Sequence, residues 1–246
     1  YIAPGLSANS PCGIIGFWPG ALHPNPWPPE WTSDRDLLGD ASAGWQVCSR
    51  NMTRQIHLNL FIHSRGHHEA SWRHPDASRL SVFDIAYYQD LARRAESGLF
   101  DSLFFADQLA LSNDIANGPR TGLEPLTVLA ALAVSTSHVG LISTASTTYT
   151  EPFNLARQFA SLDHISRGRI GWNIVTSWLA TAARNYGGNA LDHASRYARG
   201  EEFMAVVNGL WDSWASDALI DDRDSGHYAR LERIRPIDHE GEHYTV

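Results

Sequence analysis

From Met52 onward the sequence predicts an α/β fold, the N-terminal part of a (β/α)8 TIM barrel comprising about four βα units. Three observations carry this reading. Strand-like and helix-like segments alternate along the chain, which implies parallel pairing with right-handed crossovers. Leu103 to Ala106 is a short, continuous apolar run, the pattern of a strand covered on both faces. Polar residues collect at the C-terminal ends of successive strands, where a barrel of this type carries its active site.

The elements follow in order. Ile56 to Ile62 alternates in polarity as a first strand. Between Phe83 and Ala95, apolar residues recur at spacings of three and four, which puts Ile85, Tyr88, Leu91, Ala92 and Ala95 on one helical face, with Gly98 at the stop position. Leu103 to Ala106 is a second strand ending on Asp107. Glu124-Pro125 and Glu151-Pro152 mark helix starts, because a proline at the first helical position sacrifices no hydrogen bond. Val139 to Thr147 and Arg169 to Ser177 read as the third and fourth strands, with Thr144, Ser146 and Thr147 near the end of one and Asn173, Thr176 and Ser177 near the end of the other. A doubly wound dinucleotide fold would need a Gly-rich turn after its first strand, whereas Ser64-Arg65-Gly66-His67-His68 holds one glycine.

Composition narrows the function. A formal net charge of −8 argues against nucleic acid or an anionic membrane as partner. All 19 basic residues are arginine, which removes the P-loop lysine and the Schiff-base lysine of pyridoxal-phosphate enzymes. Cys12 and Cys48 both lie in the first fifth of the chain, so a thiolate metal site or cysteine nucleophile elsewhere is ruled out, and a disulfide framework is not expected. With no membrane-length apolar run and no basic-then-apolar leader, the expectation is a soluble, cytoplasmic protein.

Residues 1–51 differ from the remainder. They hold seven of the twelve prolines and four of the nine tryptophans without a clear apolar period. They are read as a non-homologous Pro/Trp-rich extension, mistranslated or disordered, with Met52 as the natural start and 52–246 as a partial barrel.

The chemistry-bearing blocks come in a fixed order. They are Gly66-His67-His68-Glu69-Ala70-Ser71-Trp72-Arg73-His74-Pro75, Phe100 to Asp107, Ser146-Thr147-Thr148-Tyr149-Thr150-Glu151-Pro152, Gly171-Trp172-Asn173-Ile174-Val175-Thr176-Ser177 and Ala183-Arg184-Asn185-Tyr186-Gly187. In that order they resemble the bacterial-luciferase-like flavin-dependent monooxygenases, in the branch that contains nitrilotriacetate monooxygenase component A and dibenzothiophene-sulfone monooxygenase. The resemblance runs from Met52 to Val246.

The resemblance implies an oxidoreductase that binds reduced FMN and inserts one oxygen atom from O2 into a small organic sulfur, nitrogen or carbon substrate. A separate NADH-dependent flavin reductase would deliver the FMNH2 by diffusion, and a homo-oligomer is an open possibility. Flavin contacts carry over to Asp107, Thr144, His193 and Tyr197, with Asn173 added because its amide suits the flavin edge, and His193 is the catalytic candidate. A dry pocket is required, for which Trp172, Trp178 and Tyr149 are candidate walls. The sequence departs from the family at Ala194, where an acidic residue is usual, which bears on how the helix there is capped. The family also continues into a fifth strand, a Gly/Ser loop that holds the flavin phosphate and the remaining barrel, so a truncated chain is expected.

Plainer readings stand beside these. Asp107 alone suits a turn, Thr144 alone is ordinary strand filling, and His193 with Tyr197 at a spacing of four is common local packing. Two other functions remain: an inactive fragment of such an enzyme, and a barrel metallohydrolase using His63, His67, His68 and Asp107. The stretch His68-Glu69-Ala70-Ser71-Trp72 lacks the second histidine of a zincin helix, so no metal site is assigned.

Overall fold

Four parallel strands hydrogen-bond in chain order: β2 (Asn59–Ile62), β3 (Ser102–Phe105), β4 (Gly140–Ser146) and β5 (Ile170–Val175). The computed structural model describes residues 56–246 together with the two-residue strand β1 (Gly16–Phe17), which pairs antiparallel with β5. The extension expected over 1–51 otherwise lies outside the described residues. Each parallel strand sits beside its predecessor, so the order never reverses as it does at the switch point of a doubly wound sheet. This is barrel order, with helices α1 (Ile85–Ser97), α2 (Pro125–Ala133) and α3 (Pro152–Ser166) as the crossovers.

The register sorts the side chains into two sets. Phe61 pairs with Phe104, Phe104 with Ile142, and Ile142 with Gly171, so these four form one layer on the inner face. The alternate residues Ile62, Leu103, Phe105, Leu141 and Trp172 pack with the helices in the main core. At Gly171 a Cβ would come within 3.1 Å of Ile142 Cγ1, so a side chain there would require Ile142 to shift.

The caps explain where the helices start and stop. Asp84 accepts from Ala86 N–H at the start of α1, and Glu124 accepts from both Leu126 and Thr127 N–H at the start of α2. Pro125 and Pro152 begin their helices as expected. At the end of α1 the expectation needs correction. Gly98 has φ −85°, and Leu99, at φ +59°, is the left-handed residue. Leu99 N–H bonds to Glu96 O and Phe100 N–H to Ala95 O, a Schellman closure in which a leucine takes the usual glycine position. The first strand is also shorter than its alternation suggests. Asp101 accepts from Leu58 N–H, while Leu58 O accepts from Asp101 N–H, which ties down the chain entering β2.

Beyond α3 come α4 (Ala180–Asn185), the long α5 (His193–Trp211) and a hairpin of β6 (Leu219–Asp222) and β7 (His227–Ala229). The final segment returns to α5, where Glu202 accepts from His243 and Tyr244 N–H. Among the described residues no helix is long and apolar enough to cross a membrane.

At the N-terminal ends of the strands, two charged side chains clasp the turn between α2 and β4. The Arg169 guanidinium donates to Ala133 O, Thr136 O, Val139 O, Thr136 Oγ1 and Ser166 O at 2.7 to 3.2 Å. From the other side, Glu96 accepts from the N–H groups of Ser137, His138 and Val139. Burial works against the Glu96 charge, but these three donors outweigh it and hold the carboxyl below its ordinary value of 4.5. Removing Arg169 strands several carbonyls, so Arg169→Ala is expected to cost about 2 to 3 kcal/mol of unfolding free energy, measured by urea denaturation. Because the folded-state pKa of Glu96 is depressed, its contribution is present above the unfolded value and lost as pH falls through the folded one. Glu96→Gln should therefore flatten the acid limb of the stability curve below about pH 4.5, and an unchanged limb would contradict the clasp.

Candidate functional site

The strands end on polar side chains, and these ends form the floor of a cavity. Thr144 on β4 and Asn173 on β5 are direct register partners, and Asn173 Nδ2 donates to Thr144 Oγ1 at 3.0 Å. Asp107 follows β3 by two residues and stands at the same end of the sheet. Further bonds lock the loops above them. Ser177 Oγ donates to Ser146 Oγ at 2.7 Å, and Thr148 Oγ1 donates to Thr176 O at 2.6 Å.

Helix α5 supplies the opposite wall. Asp192 caps it by accepting from Ser195 N–H, so the absence of an acidic residue at Ala194 leaves a capped helix start. His193 and Tyr197 stack with ring centroids 4.6 Å apart. The cavity-facing residues His193, Arg196, Tyr197, Gly200, Glu201 and Met204 recur at spacings of three and four, one stripe of the helix. At Gly200 the helix comes close to the strand ends, since a Cβ would lie 3.2 Å from Thr147 Oγ1 and 3.3 Å from Thr176 Cγ2.

All five residues singled out from the sequence, Asp107, Thr144, Asn173, His193 and Tyr197, line this one cavity of about 930 Å³. That volume falls within the roughly 300–1,000 Å³ of small-molecule sites. The three aromatic wall candidates fare unequally. Trp178 lines the cavity and is largely exposed. Trp172 does not line it, because its position in the alternation turns it to the helices, where it packs on Phe159 and Phe203 and donates to Ala145 O. Tyr149 stacks instead on Tyr186 at 4.6 Å.

The metallohydrolase donor set does not assemble. Among the described residues no group of three or more His, Cys, Asp or Glu side chains is placed to hold a metal ion, and the His63 and His67 rings stack on each other.

The electrostatics centre on Asp107. Burial, reinforced by the nearby Glu124 carboxylate and opposed by the Gln108 N–H, pushes its carboxyl up to about 6. The Tyr186 hydroxyl is raised by burial first and then by Asp107, Tyr149 and Glu124. Its neighbour Asn185 donates through Nδ2 to Leu109 O at 2.8 Å, so α4 bridges to the loop after β3. Asn185 and Tyr186 close α4, as last residue and C-cap, and the sequence alone assigned no role to them or to Arg196. The continued three-and-four spacing from His193 was the available signal for Arg196. Nothing local announces the Asn185 bridge, which spans 76 residues.

Comparison with known proteins places the fold in a family. The family model described as luciferase-like monooxygenase matches residues 58–246. The chain is 48% identical over 194 residues to N-acetyl-S-(2-succino)cysteine monooxygenase of Bacillus subtilis (strain 168), covering 78% of this chain and 44% of that protein. It is 44% identical over 206 residues to nitrilotriacetate monooxygenase component A of Aminobacter aminovorans, covering 78% and 46%. Among solved structures it is similar to a riboflavin lyase crystallised with modified FMN and riboflavin, with a TM-score of 0.72, 34% identity and coverage of 78% and 46%. The chain thus spans about half the length of the curated relatives it matches. A family match over 189 consecutive positions (58 to 246), on strands paired in barrel order, makes this chain a member of the luciferase-like monooxygenase family.

Proposed function

We propose that this chain supplies the flavin-binding half of the active site of an FMN-dependent, two-component monooxygenase. The observation that carries the reading is the convergence of Asp107, Thr144, Asn173, His193 and Tyr197 on one cavity at the C-terminal ends of the strands.

The residues present suit FMN. Arg196 Nε is buried on the cavity wall without a hydrogen-bond partner, a donor left for a ligand acceptor. The exposed apolar faces of Ile174 and Trp178 offer a surface for a flat ring. Thr144 fixes the Asn173 amide and leaves its carbonyl oxygen to accept from a ring N–H. Ionised Asp107 accepts from hydroxyl groups of the bound molecule. When bound, reduced FMN supplies the electrons that activate O2, so that one oxygen atom enters the substrate and the other leaves as water. His193, at the exposed rim and stacked on Tyr197, holds the proton to be passed from its ring nitrogen into the cavity. Helix α5, drawn close at Gly200, helps exclude water.

The substrate is a small organic sulfur, nitrogen or carbon compound, and a separate NADH-dependent reductase delivers FMNH2. The name component A on the Aminobacter relative supports a partner protein of this kind.

FMN titration followed by flavin fluorescence tests the reading directly: saturable binding is expected, and absence of binding would overturn it. Thr144→Val and Asn173→Ala are each expected to weaken FMN binding by about fivefold to tenfold, the value of roughly one hydrogen bond. Their effects should not add, because the two side chains bond to each other.

The pH dependence follows from Asp107. Its folded pKa is raised, so its ionised form is lost as pH falls through about 6. FMN affinity should decline across that range in the wild type, and Asp107→Asn should abolish the step. The sign for stability is opposite. Ionising a group whose folded pKa lies above its ordinary 3.8 costs stability as pH rises from there to about 6, so Asp107→Asn should unfold at a higher temperature at pH 7. Asp163 is also pushed up to about 6 by burial but lies outside the cavity, so Asp163→Asn should leave the FMN step intact.

A further inference from the structure

The loops after β2 (residues 63–84) and β3 (residues 106–124) are long, each broken only by a short 3-10 helix (Ser71–Arg73 and Asn113–Ala116), and emerge at the C-terminal ends of the strands. Between them lies a second cavity of about 650 Å³, which shares Ala106, Asp107 and Gln108 with the larger one. The His67-His68-Glu69 block, which the flavin reading leaves without a role, belongs to the first of these loops.

The lining of this second cavity brings the carboxylates of Glu69, Asp107, Asp114 and Glu124 together with Arg120, Ser64 and His63. Ser64 Oγ and His63 Nδ1 are both buried without a hydrogen-bond partner, a costly arrangement unless a ligand satisfies them. Ser64 also holds a left-handed backbone at φ +49°, and Tyr87 Oη donates to its carbonyl at 2.8 Å. A non-glycine residue sustains such strain only where its surroundings impose it, commonly at ligand sites. The Arg120 side chain is only 24% exposed, yet the Glu69 carboxylate that pairs with it at 2.8 Å is 83% exposed. An ion pair with so solvated a partner is weak and readily exchanged.

We infer that this second cavity is the substrate subsite and takes a carboxylate-bearing organic molecule, with Arg120, Ser64 and His63 holding the carboxylate and the reacting end directed past Asp107 towards the flavin cavity. The assignment as a substrate subsite rests on the flavin reading of the larger cavity. An incoming carboxylate replaces Glu69 on the planar guanidinium, which is shaped for two-point binding, and gains the Ser64 hydroxyl and the His63 ring as further donors. The positive surroundings are also felt by His63, whose basicity is lowered by burial, then by His67 and Arg120. Asp107, shared with the larger cavity, repels the same group and favours the uncharged end of the molecule on that side.

Calorimetric titration of the flavin-free protein with succinate, and with succinamide as the uncharged match, tests this. Succinate should bind at least about tenfold more tightly than succinamide, and Arg120→Gln should remove that preference, the effect of one charge-assisted hydrogen bond. Glu69→Gln should tighten succinate binding by about twofold to fivefold by removing the competing carboxylate, an effect a purely structural salt bridge does not produce. Equal affinity for the two probes, or no tightening in Glu69→Gln, overturns the inference; the second variant decides the matter if Arg120→Gln does not fold. Weaker binding of FMN but not of riboflavin in Arg120→Gln would assign the arginine to a flavin phosphate and also overturn it. Failure of FMN to bind the wild type, with the succinate pattern intact, sinks the flavin reading and leaves the carboxylate site standing.

Discussion

The site depends on the register between β4 and β5. Pairing of Thr144 with Asn173 turns both side chains to the inner face and joins them by a hydrogen bond, while Ser143 and Trp172 turn outwards to the helices. A slip of one residue would exchange these sets, putting an indole at the mouth and an amide in the apolar core. Several interactions oppose the slip. Trp172 fits between Phe159 and Phe203, Gly171 admits Ile142, and Arg169, immediately before β5, is anchored to carbonyls on both sides of the turn that leads into β4.

The charged clasp and the cavities accordingly occupy opposite ends of the same strands. At the N-terminal ends, Arg169 and Glu96 spend their charges on backbone groups of one turn. At the C-terminal ends, Asp107, Arg196, Ser64 and His63 carry polar atoms that are raised in pKa, unpartnered or both burdened and exposed to a cavity. Buried groups of this kind reduce stability in the free protein, and Asp163 carries the same burden in the last turn of α3. The division follows from parallel pairing, since all four C-terminal strand ends emerge on one face.

Residues distant in sequence meet there because the loops are long and cross-tied. Asn185 reaches Leu109 across 76 positions and Arg120 reaches Glu69 across 51. The two cavities adjoin at Asp107, which makes that carboxylate a common wall of both. Its raised pKa reflects this location, between a buried strand end and the Glu124 carboxylate that caps α2.

The sequence by itself determined the alternation of strands and helices, the proline-led starts of α2 and α3, and five residues that share one cavity. These are local features: periodicity, capping and the polarity of strand ends are set by neighbours within a turn or two. Tertiary structure decided the rest. The side of the sheet to which Trp172 points depends on strand register, and the left-handed closure at Leu99 rather than Gly98 depends on how Phe100 leads into β3. Among the described residues the histidines after β2 do not gather with a third donor into a metal-holding group, and His63 stacks on His67 instead. The second cavity was invisible in the linear chain, since its lining comes from side chains on two loops that only packing brings together.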